Sequence, residues 1–328
     1  MERLNVTRSL LCCALLGGLT AAQAQEVTSV LETLDIETGQ RTVLREFPYL
    51  IEAPNWTVDG QWIIFNRQGR IYRVPADGGG EPIVVPTGEA VRCNNDHVLS
   101  ADGRGLAVSS GRKDGGSYVF VLPFSPTGDA EVEARLVTPQ SPSYLHGWSP
   151  DGRWLAYCAF REGREGDIYA IPAEGGEEVR LTTADGLDDG PEYSPDGQHI
   201  WFNSVRTGLM QVWRMRADGS EQTQMTFSRK RNAWFPHVSP DGRWVAYLTY
   251  RKGDVEPGQH LADKDVELWL MPAGGGKSRR LARLFGGQGT INTNSWAPDS
   301  RRLAFVSYRK QAVDGRSRQK PARRDRPS

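Results

Sequence analysis

Apolar positions in this chain alternate with polar ones instead of recurring every third or fourth residue. From residue 25 onward no stretch holds a helical period, and short alternating runs such as 153–159, 198–204 and 243–250 lie between breaks rich in Gly, Pro and Asp. The runs predict short strands. The break before them is itself repeated. Ser149-Pro150-Asp151-Gly152 returns as Ser194-Pro195-Asp196-Gly197 and Ser239-Pro240-Asp241-Gly242. Looser copies are Thr57-Val58-Asp59-Gly60, Ser100-Ala101-Asp102-Gly103 and Ala297-Pro298-Asp299-Ser300. In such a turn Pro presets φ, Asp hydrogen-bonds its own backbone two residues on, and Gly accepts positive φ.

The six Asp positions are 43, 49, 45, 45 and 58 residues apart. A strand-based period in the forties is the signature of propeller blades of about four strands each. The third repeat serves as template: an inner strand near 146–149, then 153–159, 167–172 and 178–182, the last two joined by Ala173-Glu174-Gly175-Gly176. Repeats one, two, four and five follow it. The sixth supplies only an inner pair, 294–297 and 301–308, whereas 30–36 and 41–47 near the other end read as a lone hairpin. If that hairpin completes the last blade, the ring closes and leaves no sheet edge open. The expectation is an all-β, six-bladed propeller over 25–308. Its blades lie near 54–87, 96–139, 146–183, 191–227 and 236–284, with 294–308 plus 28–47 as the sixth.

Composition agrees, with 36 Gly, 20 Pro and ten each of Trp and Tyr. Residues 1–24 differ: Arg3 and Arg8 precede a short apolar run that ends at Ala22-Gln23-Ala24, the pattern of a secretory signal peptide. A periplasmic or secreted protein without a transmembrane segment is therefore expected, acting as a monomer. Cys93 and Cys158, in different repeats, are expected as unpaired thiols. Net charge is zero, but residues 309–328 carry +6 and the leader +1, which leaves about −7 on the body. The basic tail is expected to be a solvated end, and the acidic body excludes nucleic acid as a partner.

The phrase W-S-P-D-G-R-W-L-A-Y (148–157), followed by D-I-Y-A-I-P-A-E-G-G-E-E-V-R-L-T (167–182), resembles the repeat of the TolB-like six-bladed propellers. The resemblance covers about 28–308 and implies fold more than function. TolB proper carries an N-terminal α/β domain before its propeller, whereas here only a leader and a hairpin precede the first repeat, so a place in the Tol-Pal complex is not expected. Propellers of prolyl oligopeptidases adjoin a hydrolase domain, but the chain contains no G-x-S-x-G elbow.

In such a ring, the residues just before each Ser-Pro-Asp-Gly phrase converge on one funnel. Those segments are polar and offer Asn55, Asn94, Asn95, Asp96, His97, Tyr144, His146, Trp148, Asp188, Asp189, Glu192, Trp234, His237, Gln288, Thr290 and Asn292 as candidate ligand-binding residues. His97, His146, His237 and Gln288 could hold a divalent metal with an open position, an arrangement similar to the His/Gln site of oligogalacturonate lyases. They could equally bind ligand directly, or hydrogen-bond within their blades. Asp188, Asp189 and Glu192 could bind Ca²⁺, act as an acid/base pair, or be turn and wall. Trp148, Trp234 and Trp296 are either stacking platforms or inter-blade core. Arg229-Lys230-Arg231 reads as a solvated loop at the funnel rim. Two functions follow: an exported module in the cell envelope that binds a protein, peptide or glycan, or a metal-assisted carbohydrate lyase or hydrolase.

Overall fold

The computed structural model describes residues 27–128 and 130–310. The expected leader at 1–24 and the tail beyond 310 lie outside them. The chain opens with a hairpin, β1 (Val27–Asp35) and β2 (Arg41–Phe47). Five four-stranded antiparallel sheets follow. The first is β3 (Glu52–Trp56), β4 (Trp62–Arg67), β5 (Arg70–Pro75) and β6 (Ile83–Val84). The second is β7 (Cys93–Leu99), β8 (Gly105–Gly111), β9 (Ser117–Pro123) and β10 (Arg135–Leu136), and the third β11 (Ser143–Trp148), β12 (Trp154–Ala159), β13 (Asp167–Pro172) and β14 (Val179–Arg180). The fourth is β15 (Asp188–Tyr193), β16 (His199–Ser204), β17 (Gln211–Arg216) and β18 (Thr223–Gln224), and the fifth β19 (Arg231–Val238), β20 (Trp244–Arg251), β21 (Lys264–Pro272) and β22 (Arg279–Gly286).

The sixth sheet joins the two ends of the described chain. β23 (Arg302–Lys310) pairs antiparallel with β1 in nine steps, from Val27↔Lys310 to Asp35↔Arg302, and β2 lies outside β1. The ring is therefore a six-bladed propeller closed by its N-terminal hairpin, as expected. Hydrophobic burial locks the closure: Leu31, Leu34 and Phe47 are at most 1% exposed. Three such side chains withdraw apolar surface worth roughly 5–9 kcal/mol relative to leaving them in water. Buried Glu32 adds a polar tie, receiving Arg41 Nη2 and Ser307 Oγ, each at 2.6 Å. β23 reaches two residues into the stretch expected as tail.

The turns work as their residues dictate. Asp151 Oδ1 accepts the Arg153 amide at 3.0 Å and the Ser149 hydroxyl at 2.6 Å, while Ser149 Oγ accepts the Trp154 amide at 2.8 Å. Gly152 sits at φ 75°. Ser194–Asp196 and Ser239–Asp241 repeat the arrangement. The repeated Ser is thus as structural as the Asp. Between adjacent blades lie apolar seams. Ala107, Val119 and Leu145 join the second and third blades, for example, and Trp201, Val212 and Val245 the fourth and fifth.

Two expectations are corrected. First, the inner strand of the third repeat starts earlier than 146, and β7, β11, β15 and β19 contain residues 94–97, 144–148, 188–192 and 232–237 within them. Their polarity misleads because each strand breaks register midway, between Cys93 and His97, Leu145 and Gly147, Asp189 and Glu192, and Trp234 and His237. Such bulges re-aim side chains. Second, no inner strand spans 294–297, where only a Trp296–Leu303 bridge forms. Cys93 and Cys158 are buried and form no disulfide, and burial pushes the Cys93 thiol up to about 12.

Candidate functional site

The reason for the missing inner strand lies on the ring axis. After β22 the chain makes a 3-10 turn, Gln288–Thr290, and passes through 291–294 before reaching the sixth blade. This segment touches every other blade. Gly289 packs against Glu52 so closely that a Cβ would stand 2.6 Å from the glutamate's Cγ. Asn292 Nδ2 donates to Asp96 of the second blade at 2.7 Å, and its carbonyl faces the His146 ring of the third. Asn294 Nδ2 donates to Glu192 of the fourth at 2.8 Å, and the Ile291 carbonyl receives His237 Nε2 of the fifth at 2.5 Å. A stretch in contact with five surrounding blades must lie on the axis. The channel is plugged by the chain's own backbone.

Several of the candidate funnel residues hold this plug. Glu192 is the centre of a tight network: its Oε1 accepts the Val238 amide at 2.7 Å and Asn294, and its Oε2 meets His237 Nδ1 at 2.7 Å. Both ring nitrogens of His237 are thus engaged, Nδ1 with Glu192 and Nε2 with the Ile291 carbonyl. Trp296 Nε1 donates to the His237 carbonyl at 2.9 Å, Asn55 Nδ2 donates to the Asn294 carbonyl, and buried Thr290 Oγ1 accepts the Gly287 amide at 3.0 Å. These residues build structure.

A second group is looser. Asp96, His146 and Asp189 come from the inner strands of three successive blades. His260 joins them from the long loop 252–263 of the fifth. His146 Nε2 stands 3.4 Å from Asp189 Oδ1 and 3.9 Å from Asp96 Oδ1, and His260 Nε2 stands 3.7 Å from Asp189 Oδ2. None of these is a well-made hydrogen bond. Asp189 Oδ1 takes the Gly190 amide at 2.7 Å, and Asp96 Oδ2 takes Asn94 Nδ2 at 2.6 Å. Aromatic rings wall the group: Phe235 stacks on His146 at 6.2 Å and meets His260 edge-on at 5.3 Å, and Trp234 meets His260 at 4.6 Å. Phe235 sits at φ 54°, an outlier for a bulky residue, held there by the Asn203 carboxamide oxygen on its amide at 2.8 Å.

Charge in this corner is asymmetric. Burial drives the His146 ring down, but the Asp96 and Asp189 carboxylates outweigh it and hold its pKa above the ordinary value. Burial would likewise raise Asp189, yet His146 and, less strongly, His260 bring it below the usual range. Asp96 is raised by burial in spite of His146, and burial lowers His260. The corner favours charge on His146 and Asp189 and disfavours it on Asp96 and His260. Glu52, near Asn95, is also raised by burial.

The four residues considered for a metal are not brought together. His97 is fully buried, with neither ring nitrogen in a well-formed hydrogen bond, and burial takes its pKa down to about 4. His237 is committed to Glu192 and Ile291, His146 faces two carboxylates, and Gln288 lies in the 3-10 turn. Among the described residues no group of three or more His, Cys, Asp and Glu side chains is arranged to hold a metal ion. The acidic trio separates as well: Asp188 pairs with Arg206 at 2.6 Å, Asp189 faces the imidazoles, and Glu192 caps Val238. Segment 188–190 is strand, not turn. Trp234 and Trp296 are buried, and Trp148 is partly buried against the seam between the second and third blades. None of the three is an open platform. Tyr144, edge-on to Phe160 at 6.2 Å, is only partly buried. His260 was absent from the funnel candidates because it lies far from any repeat phrase. The one signal for it was the length of its loop.

Comparison with known proteins agrees with this architecture. A family model described as the TolB beta propeller domain matches residues 138–267. An uncharacterised protein of Agrobacterium fabrum is 43% identical over 290 residues, covering 88% of this chain and 96% of that protein. A solved structure from Agrobacterium tumefaciens, provisionally named TolB, is 44% identical with a TM-score of 0.80, over 86% of this chain and 99% of that one. The Tol-Pal system protein TolB of Anaeromyxobacter dehalogenans is 30% identical over 125 residues, 38% of this chain but only 26% of that protein. TolB from Acinetobacter baumannii, at 14% identity and a TM-score of 0.55, shares the fold over 88% of this chain and 65% of its own.

Proposed function

This chain belongs to the TolB-like β-propeller family, and from that premise we propose that it is an exported binding module of the cell envelope. It would hold a peptide segment of a partner protein at the face of the ring where the inner strands begin. The leader pattern at 1–24 supports export. Among the described residues no helix is long and apolar enough to cross a membrane.

The observation that carries the reading is the contrast in bonding within the axial group. A buried charge is normally paired and fully hydrogen-bonded. The Asp189 carboxylate instead stands between two imidazoles at 3.4 and 3.7 Å, beside a second carboxyl and under aromatic rings. Asp96 is filled by Asn94 and Asn292, but Asp189 has one short hydrogen bond, from the Gly190 amide at 2.7 Å, and its remaining contacts are long, which suits a donor-rich guest such as an ammonium or guanidinium. A peptide presenting Lys or Arg supplies that group, with its backbone resting against Tyr144 and the 252–263 loop.

Selection of random displayed peptides on the wild-type protein, with Asp189→Asn as counter-target, tests this. Enrichment of Lys- or Arg-bearing sequences that is lost on the variant is expected. No enrichment, or enrichment that the variant retains, would overturn it.

A further inference from the structure

A second feature stands on the same face, radially outward from the axis. The connections at 205–210, 225–230 and 252–263 enclose a groove of about 860 Å³ between the fourth and fifth blades. The 252–263 loop is its inner wall, so one loop serves the groove through Lys252, Val255 and Glu256 and the axial group through His260. From the groove's edge Phe227 projects 73% exposed, the largest exposure among the described large apolar side chains. Arg229 and Lys252 line the groove, both exposed and neither in an ion pair with a carboxylate among the described residues, whereas neighbouring Arg231 is held by Glu267 at 2.8 Å. Glu256 is the one acidic side chain in the lining. At its floor is Asn232, fully buried: its Oδ1 accepts the Met210 amide at 3.0 Å, but its Nδ2 has no partner.

The unsatisfied buried donor is costly without an occupant, and an exposed aromatic ring and two unpaired cations surround the same concavity. We propose that this groove binds an extended segment of a partner protein that carries an apolar side chain flanked by carboxylates. The apolar group covers Phe227, the carboxylates meet Arg229 and Lys252, and a backbone or side-chain carbonyl reaches Asn232 Nδ2. Anionic lipid fits less well, because the site is concave, contains Glu256 and has an amide donor at its floor. Another cavity, about 520 Å³ between the fourth and fifth blades by their Ser-Pro-Asp-Gly turns, has Asp196 and Asp241 already engaged by Ser194 and Ser239. The groove does not depend on the axial group for any of its residues.

The test is fluorescence anisotropy of the full chain with a labelled hexapeptide, Glu-Leu-Glu-Glu-Leu-Glu, and its neutral Gln-for-Glu counterpart, neither of which carries the cation proposed for the axial group. Wild type should bind the acidic peptide saturably and prefer it over the neutral one. Arg229→Glu with Lys252→Glu should weaken binding of the acidic peptide by about tenfold and abolish the preference. Phe227→Ser should weaken binding of either peptide severalfold. All three positions are exposed, so folding is not at risk, and Asp189→Asn should leave this binding unchanged. No saturable binding to wild type, or binding indifferent to the charge reversals, would overturn the proposal. So would charge-dependent capture of phosphatidylserine vesicles in place of the peptide, which would assign the groove to a lipid surface.

Discussion

His146 and His237 occupy nearly the same place in the third and fifth repeats, and the structure treats them in opposite ways. On the plug side, His237, Glu192, Asn294 and the Ile291 carbonyl meet at 2.5–2.8 Å. On the other side, His146, Asp189 and His260 stand 3.4–3.7 Å apart. Both groups are buried and both pair imidazole with carboxylate. The difference is how closely imidazole and carboxylate meet. At 2.7 Å, Glu192 and His237 tie the plug to the ring. At 3.4–3.7 Å, the same residue types are left with bonding capacity.

The contrast breaks most severely if the plug side loses its support. The sixth blade needs the N-terminal hairpin, so removing residues 27–47 should abolish cooperative unfolding altogether, and a truncated chain melting like the wild type would refute the closure argument. Glu192→Ala comes next. It strands His237, the Val238 amide and Asn294 together, and should cost about 3–5 kcal/mol in denaturant titration. A loss under about 1 kcal/mol would mean that the network is ornamental.

The acid response should separate a third histidine from both groups. His97 has a folded pKa of about 4, below its unfolded value, so the unfolded chain takes up a proton that the folded chain refuses. Stability should therefore fall as pH drops from about 6.5 to 4, by roughly 3 kcal/mol, and His97→Leu should remove that slope. His146 has the opposite sign. Its raised folded pKa contributes stability that is complete below about pH 6.5 and lost as pH rises through the folded value, so His146→Gln should flatten the neutral-to-alkaline limb. Two flat limbs in wild type would contradict both assignments. The smallest effect expected is that of Asp189→Asn, about 1 kcal/mol, because its contacts are long. A cost matching that of Glu192→Ala would erase the distinction between the two sides.

Much of this was legible in the order of residues. The Ser-Pro-Asp-Gly phrase encodes a turn that forms locally, and alternation encodes strands with one face in a seam. An incomplete sixth repeat and a lone hairpin at the other end together imply closure. The candidate site was legible only as a set of polar residues. Asp188 and Asp189 are adjacent yet point to Arg206 and to His146, because a strand sends successive side chains to opposite faces. The bulges in the inner strands then shift that alternation in ways residue types do not announce. His260 reached the axis on a loop that carries no repeat phrase at all.

The sequence by itself therefore determined the blades, their number and the way the ring shuts, since these rest on short-range turns and on periodic burial. Only the tertiary structure decided that the axis is plugged by 288–294, that His237 meets its carboxylate at 2.7 Å and that His146 and His260 stand 3.4–3.7 Å from theirs. Those outcomes depend on distances of a few tenths of an ångström between residues 45 to 200 positions apart. Such distances are set by how six blades pack around one axis, and no local pattern in the chain carries that information.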